Sequence, residues 1–527
     1  MTDPFVIAPM LVALLSIVAT LGTRRRLGVQ IVLSLAGVLA YAGTIGAIAW
    51  RVALSPGASP ATYQLGGWPA PFGITLVADA LSAFMLTMAA VVGVGALVFS
   101  VSYMPPDEQR VFYHPLFHAL LLGVTGAFLT GDLFNLFVWF EVMLMASYAF
   151  VAFYGRAEHT RAALRYVSLN LIGSAVMLLA IGGLYAVTGT LNMADMATRL
   201  ADPAAAGIET DAVVGLSALL FAVFALKGGL VPFQFWVPSA YRAAPLPVTA
   251  LFAGVTKKVG FYAIVRLYFT VFGAAELSVS IPGVSGESLL AFYGPVLFCM
   301  AVASVVVGAL GALDADSLEG VFAYSSISQL GFIAIPLAIG AAATTPAIRR
   351  FAVLAALVYA LNHALAKAAL FLAAGTVRDA VGTSRLGDLG GLAGRSPVLA
   401  GVVFVCALAL VGIPPLSGFF GKLLVFDVAV RAGAVPGLVL LIGGTGLTIA
   451  YTTRVWNRAF WGDPSAVVDA SSPDPVQLTV LVAFAVALVA VGIGFDPVYR
   501  FADAAATAAT DRGAYIDAVD LTGGGGA

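Results

Sequence analysis

Seven ionisable side chains stand inside strongly apolar runs, where ionisable groups are costly. Glu141 sits in the middle of Asp132-LFNLFVWFEVMLMASY-Ala149, and Lys227 lies in Phe224-Ala-Leu-Lys227-Gly-Gly-Leu-Val-Pro232. Lys257 and Lys258 are adjacent, Lys367 follows His363 by four residues, and Lys422 closes Gly412-IPPLSGFFG-Lys422. These are all five lysines of the chain; the other basic residues are 21 arginines, most of them between the apolar runs. A charge at the centre of a membrane helix costs about 2.5–3.5 kcal/mol, so five unpaired ammonium groups would cost roughly 12–17 kcal/mol. They must be paired, hydrated or neutral. Lysine reaches the neutral state readily on burial and arginine does not. A chain that keeps lysine in its interior and arginine between its spans is suited to proton exchange.

Each position adds a detail. Glu141 is one of seven glutamates and is expected to pair with an intramembrane amine, with Lys227 as its partner. Lys227 precedes Gly228, Gly229 and Pro232, a helix break whose freed carbonyls can solvate an ammonium. Consecutive helical residues point about 100° apart, so Lys257 and Lys258 cannot share a face; periodicity does not choose between them. His363 and Lys367 stack on one helix face and form a plausible relay pair. Lys422 follows the second break and could also snorkel to an interface. Asp79, Asp132 and the strip Tyr324-SSIS-Gln329, with Ser325, Ser328 and Gln329, are secondary polar candidates. The two aspartates fall at span ends, where interfacial placement is cheap, and the serines can simply bond backbone carbonyls. His114 and His118, four apart, lack an evident third metal ligand, and no metal is expected.

The elements that must carry these groups are membrane helices. The chain has 527 residues, of which 61% are hydrophobic and 10% charged, with a net charge of −1. Its mean hydropathy is +1.00. A typical soluble domain is about 25% charged. A soluble enzyme is excluded, as is a nucleic-acid binder, since no basic run exceeds Arg24-Arg25-Arg26. Cys299 and Cys406 fall in apolar stretches and form no framework. The N-terminus has no basic region ahead of Phe5 and reads as a first span rather than a cleaved signal. The glycine-rich Thr522–Ala527 reads as a disordered tail.

Apolar runs long enough to cross a bilayer lie near 5–22, 28–50, 78–103, 116–130, 132–154, 163–188, 213–236, 247–272, 292–312, 321–342, 350–375, 399–425, 436–457 and 477–494. The predicted fold is therefore an all-α polytopic membrane protein of about 14 helices. Both termini fall on one side. With the arginine-rich loops inside, both termini lie outside the cytoplasm of the cell membrane. The seventh and twelfth runs are interrupted by Gly and Pro. Interrupted helices in matching positions point to a transport site built on internal repeats, and a spacing of five spans makes the repeats inverted.

These segments resemble the antiporter-like subunits shared by Mrp-type Na⁺/H⁺ antiporters and the membrane arm of respiratory NADH dehydrogenase, and within them the D subunits of the Mrp type. The resemblance is carried by the Glu141 run, by Ala225-LKGGLVPFQFWVPSAYRAAPLPVTALFAGVTKKVGFYAIVR-Leu267, by AYSSISQLGF ending at Phe332, by NHALAKAALFLAAG ending at Gly375, and by GIPPLSGFFGK ending at Lys422. It implies helices 1–3 in residues 1–115, a first repeat of helices four to eight in 116–272, an inverted second repeat of helices nine to thirteen in 292–457, and helix 14 with a tail in 458–527. It also implies a proton relay of Glu141, Lys227, Lys258, His363, Lys367 and Lys422. Lys258 is selected over Lys257 because it precedes a hydrophobic residue and Gly; Lys257 is left without a role. Implied partners are the A, B, C, E, F and G types of subunit in a hetero-oligomer, the lipid bilayer, and the transported H⁺ and Na⁺.

The expected activity is proton translocation within a multi-subunit cation/proton antiporter, not enzymatic catalysis. One alternative is a proton-pumping subunit of an NADH dehydrogenase or membrane-bound hydrogenase. The sequence holds no flavin, nucleotide or iron–sulfur motif, so no cofactor is expected. A further alternative is a scaffold that assembles the complex without transporting.

Overall fold

The computed structural model describes residues 3–109, 112–275, 288–469 and 472–521. The glycine-rich tail lies outside the described residues. The main helices in chain order are α1 (Pro4–Gly22), α2 (Leu27–Leu54), α3 (Ala80–Tyr103), α4 (Tyr113–Leu129), α5 (Leu133–Val151) and α6 (Ala157–Thr188). The broken seventh has two parts, α7a (Thr210–Gly228) and α7b (Trp236–Ala243). Then come α8 (Leu246–Val271), α9 (Leu289–Asp314), α10 (Leu318–Ala342) and α11 (Pro346–Val381). The twelfth is again split, into α12a (Pro397–Val411) and α12b (Ser417–Arg431). α13 (Val435–Phe460) and α14 (Pro475–Ile493) follow, then α15 (Phe495–Thr510) and α16 (Arg512–Val519). Among the described residues, 12 helices are long and apolar enough to cross a membrane. The expected fourth and twelfth spans contain the shorter apolar helices α4 and α12a.

Local chemistry sets many of the ends. Asp79 and Asp132 cap α3 and α5, accepting from the amides of Ser82 at 2.9 Å and Asn135 at 2.7 Å. Pro begins α11 and α12a, where its missing N–H is one of the helix's unpaired donors anyway. α6 and α11 run past the expected 163–188 and 350–375, because their polar extensions are too hydrophilic to count in a hydropathy window.

Burial sorts the helices. α8, α10 and α11 are buried along nearly their whole length. α1, α6 and α13 expose apolar rows such as Leu11, Leu14, Leu15 and Val18 on α1, the surface expected to meet lipid. In hydrocarbon, helix association rests on close packing rather than on a hydrophobic driving force. Small residues supply it between α9 and α10: a Cβ on Gly308 would sit 2.3 Å from the Ser328 amide nitrogen. A hairpin of β1 (Ala61–Gln64) and β2 (Thr75–Ala78) lies between α2 and α3, and α16 docks against it through Thr62 and the Ala518 carbonyl.

Candidate functional site

The two helix breaks share a local design. α7a ends with Gly229 at φ 72°, and α12a ends with Gly412 at φ 96°, both in the left-handed region that glycine enters without penalty. Each glycine is followed three residues later by a proline, Pro232 and Pro415. Backbone groups freed by a break must find partners where water is scarce. At the first break, Trp236 Nε1 donates to the Leu226 carbonyl at 2.9 Å, and Ser304 Oγ on α9 accepts from the Val231 amide at 2.9 Å. At the second, Ser417 Oγ donates to Asn362 Oδ1 at 2.8 Å, and Asn362 Nδ2 reaches the Ala409 carbonyl at 3.4 Å.

The charged candidates sit on five helices of this scaffold, α5, α7a, α8, α11 and α12b. Glu141, half-buried on α5, accepts a short hydrogen bond from Ser174 Oγ on α6. Lys227, in the last turn of α7a, is 2% exposed and its Nζ makes no hydrogen bond among the described residues. Glu141 acts on it through space, but among the described residues they do not form the expected close ion pair; the carboxylate meets Ser174 instead. On α8, Lys258 Nζ donates to the Ala253 carbonyl at 2.7 Å and meets His363 Nδ1 of α11 at 2.6 Å. A π-helical turn at Phe252–Thr256 interrupts the regular backbone pattern of α8 around that carbonyl.

His363 and Lys367 share a helix but turn to different partners. Lys367 Nζ donates to Ser325 Oγ at 2.5 Å and to the Phe322 carbonyl at 3.3 Å, both on α10. Lys422 on α12b is 4% exposed and does not snorkel to an interface. Its Nζ donates to Thr445 Oγ1 on α13 at 3.1 Å and lies 4.6 Å from the centre of the Phe332 ring. The fifth lysine, Lys257, is wholly buried. Its Nζ lies 4.7 Å from the centre of the Tyr241 ring and has no hydrogen-bond partner among the described residues.

The secondary candidates separate. Ser325 touches a candidate amine, whereas Ser328 bonds the Val305 carbonyl of α9 at 3.1 Å. Gln329 joins a polar knot with Tyr359, Thr448 and Tyr451, the last at 2.7 Å. Asp79 and Asp132 stand at helix starts as expected, but they are buried rather than interfacial. Asp79 forms an ion pair with Arg266 Nη2 at 2.5 Å, and Tyr515 of α16 covers the guanidinium at 4.6 Å. His114 Nδ1 and His118 Nε2 both meet Ser34 Oγ, at 3.0 and 2.9 Å.

Sequence reasoning missed Ser174, Asn362, Thr445 and Tyr241. Ser174, Asn362 and Thr445 are uncharged polar residues inside apolar runs, which is a usable signal, but their partners lie tens of residues away. The Asp79–Arg266 pair had a clearer signal, since both residues are ionisable in or beside spans and neither could stay alone there.

Residues 130–448, with both breaks and every candidate amine, match the family described as NADH:quinone oxidoreductase/Mrp antiporter, TM. The chain belongs to that family. Residues 65–113 match a second family, described as NADH-Ubiquinone oxidoreductase (complex I), chain 5 N-terminus. The chain is 35% identical to the Na(+)/H(+) antiporter D subunit of Alkalihalophilus pseudofirmus, over 86% of this chain and 87% of that protein. It is 34% identical to the NADH-quinone oxidoreductase N subunit of Desulforudis audaxviator, over 92% and 94% of the two. Among solved structures it is similar to a chain of the Mrp complex from Dietzia sp. DQ12-45-1b, with TM-score 0.82, 29% identity and 98% of both chains covered. It is a multi-pass membrane protein of the antiporter-like type.

Proposed function

We propose that the chain is a proton-translocating subunit of a multi-subunit Na⁺/H⁺ antiporter of the Mrp type, working with the other Mrp-type subunits. The carrying observation is the Lys258–His363 contact, which joins the half of the chain holding the first break to the half holding the second. A proton enters toward Lys227 and Lys258, with Glu141 raising or releasing the hold of the nearby amine as it pairs and unpairs. It crosses through His363 and Lys367 and leaves by Lys422. Inward proton flow drives Na⁺ outward through the assembled complex.

The reading adds α4 and the broken α12 as one crossing each to the 12, which gives 14, and treats helices four to eight and nine to thirteen as inverted repeats. Both termini then lie outside the cytoplasm, which cysteine labelling from either side of the membrane tests. Glu141→Ala, Lys227→Ala and Lys258→Ala should each abolish antiport in everted vesicles while the complex still assembles. Full activity in all three would leave the chain as an assembly scaffold.

A second reading has one observation in its favour, the similarity to an NADH-quinone oxidoreductase subunit at nearly the same identity. There the same relay would pump protons within a redox complex whose electron carriers are separate chains. Purification of the native complex separates the two: bound iron–sulfur clusters favour the redox complex, and their absence with Na⁺-dependent proton exchange favours the antiporter.

A further inference from the structure

Lys257 is a fully buried amine that the relay does not use. Its position is specific. Its stem lies against the open face of Gly229, where an added Cβ would be 3.6 Å from Lys257 Cδ and 3.7 Å from Cε. Gly229 is the left-handed residue that ends α7a, two residues beyond Lys227. The amine faces α7b, over the Tyr241 ring, while Lys258 turns to His363 on α11. α8 thus turns Lys257 toward the α7 break and Lys258 toward α11.

The surroundings suit a group that gains and loses a proton. The Tyr241 ring offers its π face to an ammonium. Neither Lys257 Nζ nor Tyr241 Oη has a hydrogen-bond partner among the described residues, so the amine is also free to be neutral. The groups that act on it come from every side. α7b contributes Tyr241, and α6 contributes Tyr166, which acts on Tyr241. Lys258 neighbours it on α8, and Lys367 and His363 on α11 interact with it through space. α3 and α4, packed on the same stretch of α8, contain no Asp, Glu, Lys or Arg, and the two histidines of α4, His114 and His118, both meet Ser34.

We propose that Lys257 is a proton-carrying station between the α7 break and the Lys258–His363 contact, a role that rests on the relay reading above. A proton leaves the Lys227 ammonium, which becomes neutral, binds the Lys257 amine, and passes from there to Lys258.

The test uses the intact complex in everted vesicles, with Lys257→Met, Lys257→Gln and Lys258→Met side by side. Methionine keeps most of the stem against Gly229 and removes the titrating atom. The expected result for Lys257→Met is normal assembly, an antiport rate about tenfold lower, and a changed pH profile of activity. The profile changes because one titrating site is lost from the path. A wild-type rate and profile in Lys257→Met beside an inactive Lys258→Met overturns this proposal and leaves the relay standing. Activity in both variants overturns the relay itself. A slower rate with an unchanged profile, or failure of both Lys257 variants to assemble, makes Lys257 a packing residue of the break and also overturns the proposal.

Discussion

At the α7 break the amines of Lys227 and Lys257 have no hydrogen-bond partner among the described residues, whereas at the α12 break Lys422 donates to Thr445 and rests on Phe332. The backbone problem is the same at both places and is solved in the same way, by a neighbouring polar side chain that takes up the freed groups. The charge problem is solved differently. The second break gives its lysine a fixed address. The first leaves two amines with only a ring and a distant carboxylate, so their charge depends on the protons they hold. Under the proposed relay, loading belongs to the first half and retention to the second.

The most damaging way to break this comparison is to cut the joint between the halves. His363→Leu removes the group that meets Lys258 and should lower antiport by about 100-fold, the low end of what a positioned acid–base group contributes. Sodium-dependent recovery of a pH-sensitive dye in everted vesicles reads it, and a rate within about twofold of wild type would disconnect the halves functionally. Next in size is a change away from both breaks. Asp79→Ala leaves Arg266 buried without its carboxylate and should destabilise the protein by about 3–5 kcal/mol. Thermal unfolding of the detergent-purified complex checks it, and an unchanged midpoint would show that the pair is dispensable.

Two smaller changes sharpen the contrast itself. Thr445→Val takes the hydrogen bond from Lys422 and should cost about 1.5–3 kcal/mol when the amine is charged. Because that loss is felt only by the charged form, the pH profile should change while the neutral-state fold does not. An unchanged profile would mean that Lys422 does not depend on its fixed address. Tyr241→Phe keeps the ring under Lys257 and removes only an unpartnered hydroxyl, so antiport should stay within about twofold, while Tyr241→Leu should slow it further. Equal rates for the two variants would separate Lys257 from the ring.

Much of this was legible in the sequence, for physical reasons that differ by residue. Lys227 and Lys422 announced themselves because charge in an apolar run is rare, and the two breaks because Gly and Pro cannot continue a membrane helix unaided. What periodicity left open was direction. The angle of about 100° between Lys257 and Lys258 showed that they diverge, not which neighbour each would meet. The close Glu141–Lys227 pair was expected from charge alone, and Ser174, a residue with no charge to advertise it, intervenes on the carboxylate. Asp79 at a span end read as interfacial. It is buried because α8 brings Arg266 to it and α16 brings Tyr515 over the guanidinium, contacts across separations that no local pattern encodes.

That last arrangement bears on how the protein is made. Asp79 and Arg266 come from helices threaded into the bilayer well before α16 emerges, yet the ring that covers the guanidinium arrives only with Tyr515. In chain order the pair therefore precedes its cover, which closes only when the segment following α14 folds back over it. The α3–α8 seam is thus closed by α16 as well as by its own two helices.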